Sequence, residues 1–155
     1  MSRFHFERSH DMELVRAILT HPQIYPWITD DSCPPAGDFK PVDNVAFWYV
    51  IVREAPDEVL GLWMLVPLNM ICWEIHTCLL PKAWGTTARD AAAEFLHWVW
   101  GNTPCRRLIT NVPVNNRLAF RFAKAAGMTV FGLNEKSFLK NDEALDQIML
   151  GITKG

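Results

Sequence analysis

Apolar positions alternate, then cycle with a helical period, then alternate again, and that rhythm predicts the elements of the chain. Phe4 to Glu7 reads as a short strand. From His10 to Thr20 the residues Met12, Val15, Ile18 and Leu19 share one helical face, with Ser9 as N-cap and Pro22 as the stop. Residues 21–43 carry five prolines, Asp30–Asp31 and Gly37, and read as a long irregular segment with one short helix near Ile24–Ile28. Asn44–Glu54 is aromatic and β-branched throughout, as in a strand with apolar residues on both faces. The turn Ala55–Glu58 leads to an antiparallel partner, Val59–Leu68, with a bulge expected at Gly61. Cys72–Leu80 completes a three-strand meander and is ended by Pro81.

Beyond Gly85 the period returns to that of a helix, with Ala88, Ala91, Ala92, Phe95 and Val99 as its core stripe. Thr87 followed by Asp90 fits a capping pattern, and Gly101–Pro104 close the helix. Arg107–Val112 reads as a strand. A second helix follows, capped by Asn115 or Asn116 and ending at Ala126 with Gly127 as its C′ residue. Thr129–Leu133 and Leu145–Thr153 are expected as final strands, with Asn141–Asp142 between them. The order β, α, three β, α, β, α, β, β predicts a mixed α/β (α+β) sheet with helices on its faces, as one domain over residues 1–155.

Composition narrows the function. The chain has 155 residues, half of them hydrophobic, which excludes disorder and supplies a core. A formal net charge of −2 gives no reason to expect a nucleic-acid partner. No apolar run approaches the ~20 residues that span a bilayer, and the polar start MSRFHFERSHD is no signal peptide, so no membrane partner is expected. Cys33, Cys72, Cys78 and Cys105 show neither CxxC pairs nor a disulfide framework, which points to reduced thiols and a cytoplasmic setting. Trp48, Trp63 and Trp73 lie in apolar runs and are expected in the core. The histidines His5, His10, His21, His76 and His97 have no metal-ligand spacing, and neither a nucleophile elbow nor a Walker loop is present.

The stretch from Cys72 to Trp100 carries the candidate chemistry. A strand feeding a helix through a glycine turn leaves unpaired N–H groups at the helix N-terminus, where the dipole favours a phosphate or pyrophosphate. Glu74–Ile75, Pro81 and Trp84–Gly85 resemble in order a pattern of the GNAT acetyltransferase superfamily, E-I-x-x-x-x-x-P-x-x-W-G-x-G, with Thr87 in place of its last glycine. Asn116–Arg117–Leu118–Ala119 and Gly127–Met128 resemble its later N-x-x-S and G-F signature. The chain resembles that superfamily from about Asn44 to Ile152, nearest the branch that acetylates ribosomal-protein N-termini and small molecules. A weaker resemblance is to short GNAT-like proteins of tailed bacteriophages, some associated with head assembly.

The resemblance implies a mostly antiparallel sheet splayed between its fourth and fifth strands, here Cys72–Leu80 and Arg107–Val112. Acetyl-CoA would lie in that V, with its pantetheine arm paired to backbone from Thr77 to Leu79. Its pyrophosphate would rest on the amides of Lys82, Ala83, Trp84, Gly85, Thr86 and Thr87, and Asn116 matches the family's cofactor-side asparagine, besides serving as an N-cap. Glu74 matches the family's strand-4 glutamate and is the first candidate base. In an apolar strand its pKa is expected to rise toward neutrality. His76, two residues on and so on the same face, is the second candidate. The N–H near Cys78 would be the oxyanion donor. Arg117, Arg121 and Lys124 read as a solvated face or as contacts to the cofactor's 3′-phosphate.

The implied activity is transfer of an acetyl group from acetyl-CoA to an amine by direct attack, the acceptor being a small molecule or a protein. A homo-oligomer is compatible with the sequence. The acceptor pocket is expected from residues 21–43 and the turn near Asn69. Ala119 and Ala123 stand where relatives carry a serine or tyrosine acid. A GNAT-like scaffold or interaction protein without turnover is therefore the alternative.

Overall fold

The computed structural model describes residues 2–155. Its strands are β1 (Phe4–Ser9), β2 (Trp48–Glu54), β3 (Glu58–Pro67), β4 (Cys72–Leu79), β5 (Arg107–Pro113), β6 (Thr129–Lys140) and β7 (Glu143–Thr153). Its helices are α1 (Met12–Leu19), α2 (Tyr25–Ile28), α3 (Thr86–Asn102) and α4 (Arg117–Ala125). All seven strands form one sheet in the order β1-β2-β3-β4-β5-β7-β6. Neighbours are antiparallel except β4 and β5, which run parallel.

The meander β2–β3–β4 forms where aromatic, β-branched and other apolar residues predominate. Opposite Val52 and Arg53 the register steps from Gly61 to Val59, so the expected bulge is present at Leu60–Gly61. The outermost hairpin differs from expectation. β6 runs on to Lys140 because an irregularity between Asn134 and Phe138, with Lys136 at φ 47°, absorbs the polar residues that interrupt the alternation. Asn141 (φ 52°) and Asp142 (φ 62°) then close a two-residue turn whose two positive φ values suit a twisted hairpin.

The helix starts of α1 and α3 differ from the expected caps. α1 is capped by Asp11, whose carboxylate accepts the Leu14 N–H at 3.2 Å, while Ser9 Oγ accepts the Asp11 N–H one turn earlier. Asn44–Phe47 is a turn rather than strand, because Asn44 Oδ1 accepts the Ala46 N–H at 2.8 Å. α3 begins at Thr86 with Gly85 (φ 92°) before it and no side-chain cap, so the expected Thr87–Asp90 cap does not form. Thr87 Oγ1 instead accepts from Arg3, which also pairs with Asp90 and Glu54. α4 is capped by Asn116 as expected, and Gly127 (φ 100°) ends it.

Two apolar layers cover the sheet. On one face Trp63 stacks on Phe95 of α3, with centroids 4.5 Å apart, and Ala123 of α4 joins the same cluster. On the other face Val15, Ile18 and Leu19 of α1 meet Ile51, Leu62 and Cys78. Trp63 and Trp73 are buried, whereas Trp48 is half-buried with the Arg8 guanidinium over its ring. All four cysteines are free thiols. Residues 21–43 form a strap tied at both ends. Arg16 donates to the carbonyls of Ala36, Gly37 and Phe39, and Lys140 donates to those of Pro26 and Thr29. Among the described residues no helix is long and apolar enough to cross a membrane, and no metal-binding cluster occurs.

Candidate active site

β4 and β5 are paired only at Cys72–Arg107, Trp73–Leu108 and Glu74–Ile109. Beyond Glu74 they splay, and a cavity of about 360 Å³ passes through the gap from the α3–α4 face to the face of α1 and α2. Which backbone groups face the gap follows from the β3–β4 ladder. Leu80 donates to Leu60 and Leu68 donates to Cys72, so the even-numbered residues of β4 turn their backbone groups toward β3. The odd-numbered residues Thr77 and Leu79 turn theirs into the gap. Cys78 pairs with Leu62 in that ladder, so its N–H is committed to β3 and cannot be the expected oxyanion donor. Its side chain is also fully buried under α1, which pushes the thiol up to about 12. The N–H that meets the gap at this level is that of Thr77.

Across the gap the geometry is leaner. Val114 donates to Asp146, which sets the even-numbered residues of β5 toward β7 and leaves Asn111 and Pro113 facing β4. Pro113 has no N–H, and its carbonyl accepts from Asn116. At the open end, the Leu79 carbonyl accepts the indole N–H of Trp84 at 2.9 Å. The first-turn amides of α3, at Thr86, Thr87 and Ala88, have no side-chain cap, so free donors stand in the gap and again at the helix N-terminus. An extended amide-bearing arm ending in a pyrophosphate fits this edge and this helix terminus. The amides of Ala83 and Trp84, expected to hold a pyrophosphate, donate instead to the Leu80 and Pro81 carbonyls, and the Lys82 side chain pairs with Glu58 at 3.1 Å. Asn116 lines the cavity while its Oδ1 caps α4 through the Ala119 N–H. Arg117, Arg121 and Lys124 are exposed on the outer face of α4.

On the α1–α2 side stand Glu74 and His76, brought together by the two-residue repeat of the strand. His76 Nε2 and Glu74 Oε1 are 2.5 Å apart. With the Nε2–H donated to the carboxylate, the basic lone pair of the ring is on Nδ1. His76 lines the cavity and Glu74 does not. The expected rise of the Glu74 pKa is reversed: its hydrogen bond from His76 outweighs desolvation and holds the carboxyl below its ordinary 4.5. A group whose folded-state pKa is lowered stabilises the fold above its unfolded value and loses that contribution as pH falls through the folded one. The Tm gap between the wild-type protein and Glu74→Gln should therefore hold above about pH 4.5 and close as pH is lowered further, read by thermal melts across that range.

The rest of the acceptor-side wall comes partly from where it was expected. Gln23, Ile24, Trp27 and Ile28 of the strap line the cavity, but the Asn69 turn does not. Asn69 Oδ1 accepts the N–H groups of Ile71 and Cys72, at the closed end of the V. Asn111 of β5, Phe138 of β6 and Gln147 of β7 complete the wall. The one signal for Asn111 in the sequence was an asparagine inside an apolar strand, where that residue is disfavoured. At the thiol end, Ala119 and Ala123 line the cavity and supply no acid.

Comparison with known proteins places the fold. The acetyltransferase (GNAT) domain family matches residues 4–129. Among solved structures, a Vibrio cholerae spermidine N-acetyltransferase SpeG chimera with hSSAT superposes with a TM-score of 0.79 at 15% identity, over 98% of this chain and 96% of its own. SpeG from Vibrio cholerae in complex with CoA and spermine gives 0.72 at 16% identity, covering 99% and 97%. A GNAT-family acetyltransferase from Bacillus anthracis gives 0.76 at 17% identity, covering 98% and 95%. No curated protein matches the chain in sequence.

Proposed function

The chain belongs to the GNAT acetyltransferase family, and from that membership we propose an N-acetyltransferase in which His76, held by Glu74, deprotonates the acceptor amine. Acetyl-CoA, the donor of this family, supplies an activated thioester. The observation that carries the reading is the splay of β4 from β5 just beyond Glu74, which opens an unpaired backbone edge beside the His76–Glu74 pair.

The chain's own contributions follow from the geometry. Thr77 and Leu79 offer backbone groups that hold an extended arm in the gap, and the α3 N-terminus receives its diphosphate. The Thr77 N–H is the donor for the carbonyl oxygen that gains charge. His76 Nδ1 takes the amine proton, and Glu74 fixes the ring tautomer and stabilises the imidazolium, a positioning role. With Ala119 and Ala123 at the thiol end, the sulfur leaves as a thiolate, a leaving group that needs no protonation to depart. The structural neighbour with spermine makes a polyamine the first acceptor to weigh. Ala119 and Ala123 favour a second reading, a scaffold that binds acetyl-CoA without turnover.

Calorimetric titration with acetyl-CoA tests the shared premise, and thiol release with an amine panel separates the two readings. Micromolar binding with amine-dependent thiol release is expected. Binding without release selects the scaffold, and no binding at millimolar acetyl-CoA defeats both.

A further inference from the structure

The wall of the acceptor-side cavity is uncharged. Among the described residues no Asp, Glu, Lys or Arg lines the cavity, and the lining includes only two side chains with an ionisable group, His76 and the buried Cys78. Three carboxylates on the surrounding elements already accept hydrogen bonds from neighbouring N–H groups. Asp30 accepts from Ser32, Asp31 from the Asn141 and Asp142 N–H groups, and Asp146 from the Lys136 N–H. Glu74 stands behind His76 and is held by it.

We infer that the acceptor is a monoamine on an uncharged apolar or aromatic body, and not a polyamine; this rests on the acetyltransferase reading above. A polyamine would bring at least one further ammonium into a wall with no carboxylate, and an unpaired cation taken from water is strongly disfavoured. An amino acid would bring a carboxylate to a wall with no Arg or Lys, at a similar penalty. An apolar body meets Ile24, Ile28 and Phe138, and Trp27, half-exposed at the mouth, is free to cover one face of it.

Asn111 gives the amine its orientation. Ile109 is in register with Glu74, so Asn111, two residues on, shares the face of Glu74 and His76 on the other side of the gap. Its Oδ1 is buried with no hydrogen-bond partner among the described residues, an arrangement that proteins rarely leave unmatched. Asn111 lines the cavity, and this unpartnered oxygen is the acceptor for one amine hydrogen while His76 takes the proton from the same nitrogen.

Thiol release with 2-phenylethylamine and with spermidine, alongside calorimetry of each amine on the protein saturated with CoA, tests the inference. The expected result is a kcat/KM about tenfold or more higher for 2-phenylethylamine, with the ratio falling in Asn111→Asp, which puts a carboxylate at the same place. Spermidine turned over as well or better overturns the inference and leaves the acetyltransferase reading standing. Binding of 2-phenylethylamine without thiol release upholds the acceptor class and removes the catalytic reading. Failure of 2-phenylethylamine to bind at all overturns the inference.

Discussion

Replacing His76 by alanine is expected to lower kcat with an amine acceptor by about 10²-fold or more, the contribution of a positioned base, with acetyl-CoA affinity little changed. The ring reaches the cavity, while the groups suited to hold the cofactor are backbone atoms of Thr77 and Leu79 and the α3 amides. Glu74→Gln should be milder, about tenfold, because a neutral amide still accepts the Nε2–H but no longer balances the imidazolium. The ordering is diagnostic. If Glu74 were itself the base, its amide would be the more damaging change and the alanine at His76 the lesser. Steady-state kinetics on both variants, with acetyl-CoA binding measured separately, separates the two roles. A fall in affinity equal to the fall in kcat would mean that the pair is structural. Cys78→Ala serves as a control for the oxyanion assignment: a buried thiol in the α1 layer contributes packing, so stability rather than rate should move.

What could be seen in the sequence was whatever the local pattern carries. The meander was legible because three apolar, β-leaning runs between Trp48 and Leu79 are separated by turn residues, and the bulge because Gly61 interrupts the second run. The Glu74–His76 pair was legible because strand side chains repeat every two residues. Three features depend on partners that the local pattern does not name. The place of β7 between β5 and β6 is a long-range choice, and it is this choice that brings Gln147 and Phe138 to the cavity. The direction of the Cys78 N–H depends on which residues of β3 and β4 exchange hydrogen bonds. The sign of the Glu74 shift depends on a competition: burial follows from the apolar strand, but a 2.5 Å contact with His76 outweighs it. The α3 N-terminus teaches the same lesson, since Thr87 and Asp90 had the spacing of a cap and were drawn instead to Arg3.

Gly61→Ala is expected to be among the most damaging single substitutions in the chain, although no ligand would touch it. Gly61 has φ +138°, a conformation that L side chains rarely adopt, and a Cβ there would lie 2.5 Å from the Cys78 carbonyl oxygen and 2.7 Å from the Leu79 Cα. Both obstacles are backbone, so no side-chain rotation relieves the clash. β4 must move away from β3, or the bulge must be rebuilt. Either response should cost about 3 kcal/mol or more, a drop in Tm of roughly 6–12 °C for a chain of this size. Gly101→Ala is the matched control: it lies in α3 with nothing within 4 Å of the added Cβ, so helix propensity alone should make it neutral or stabilising by up to about 1 kcal/mol. The displaced residues, Cys78 and Leu79, lie where β4 has left β5 and its free backbone edge meets the cavity. Acetyl-CoA binding should therefore weaken in Gly61→Ala even at temperatures where the variant remains folded, and in Gly101→Ala it should not. Equal affinities in the two variants would mean that the gap does not depend on the β3–β4 register, and that the cofactor edge is set by α3 alone.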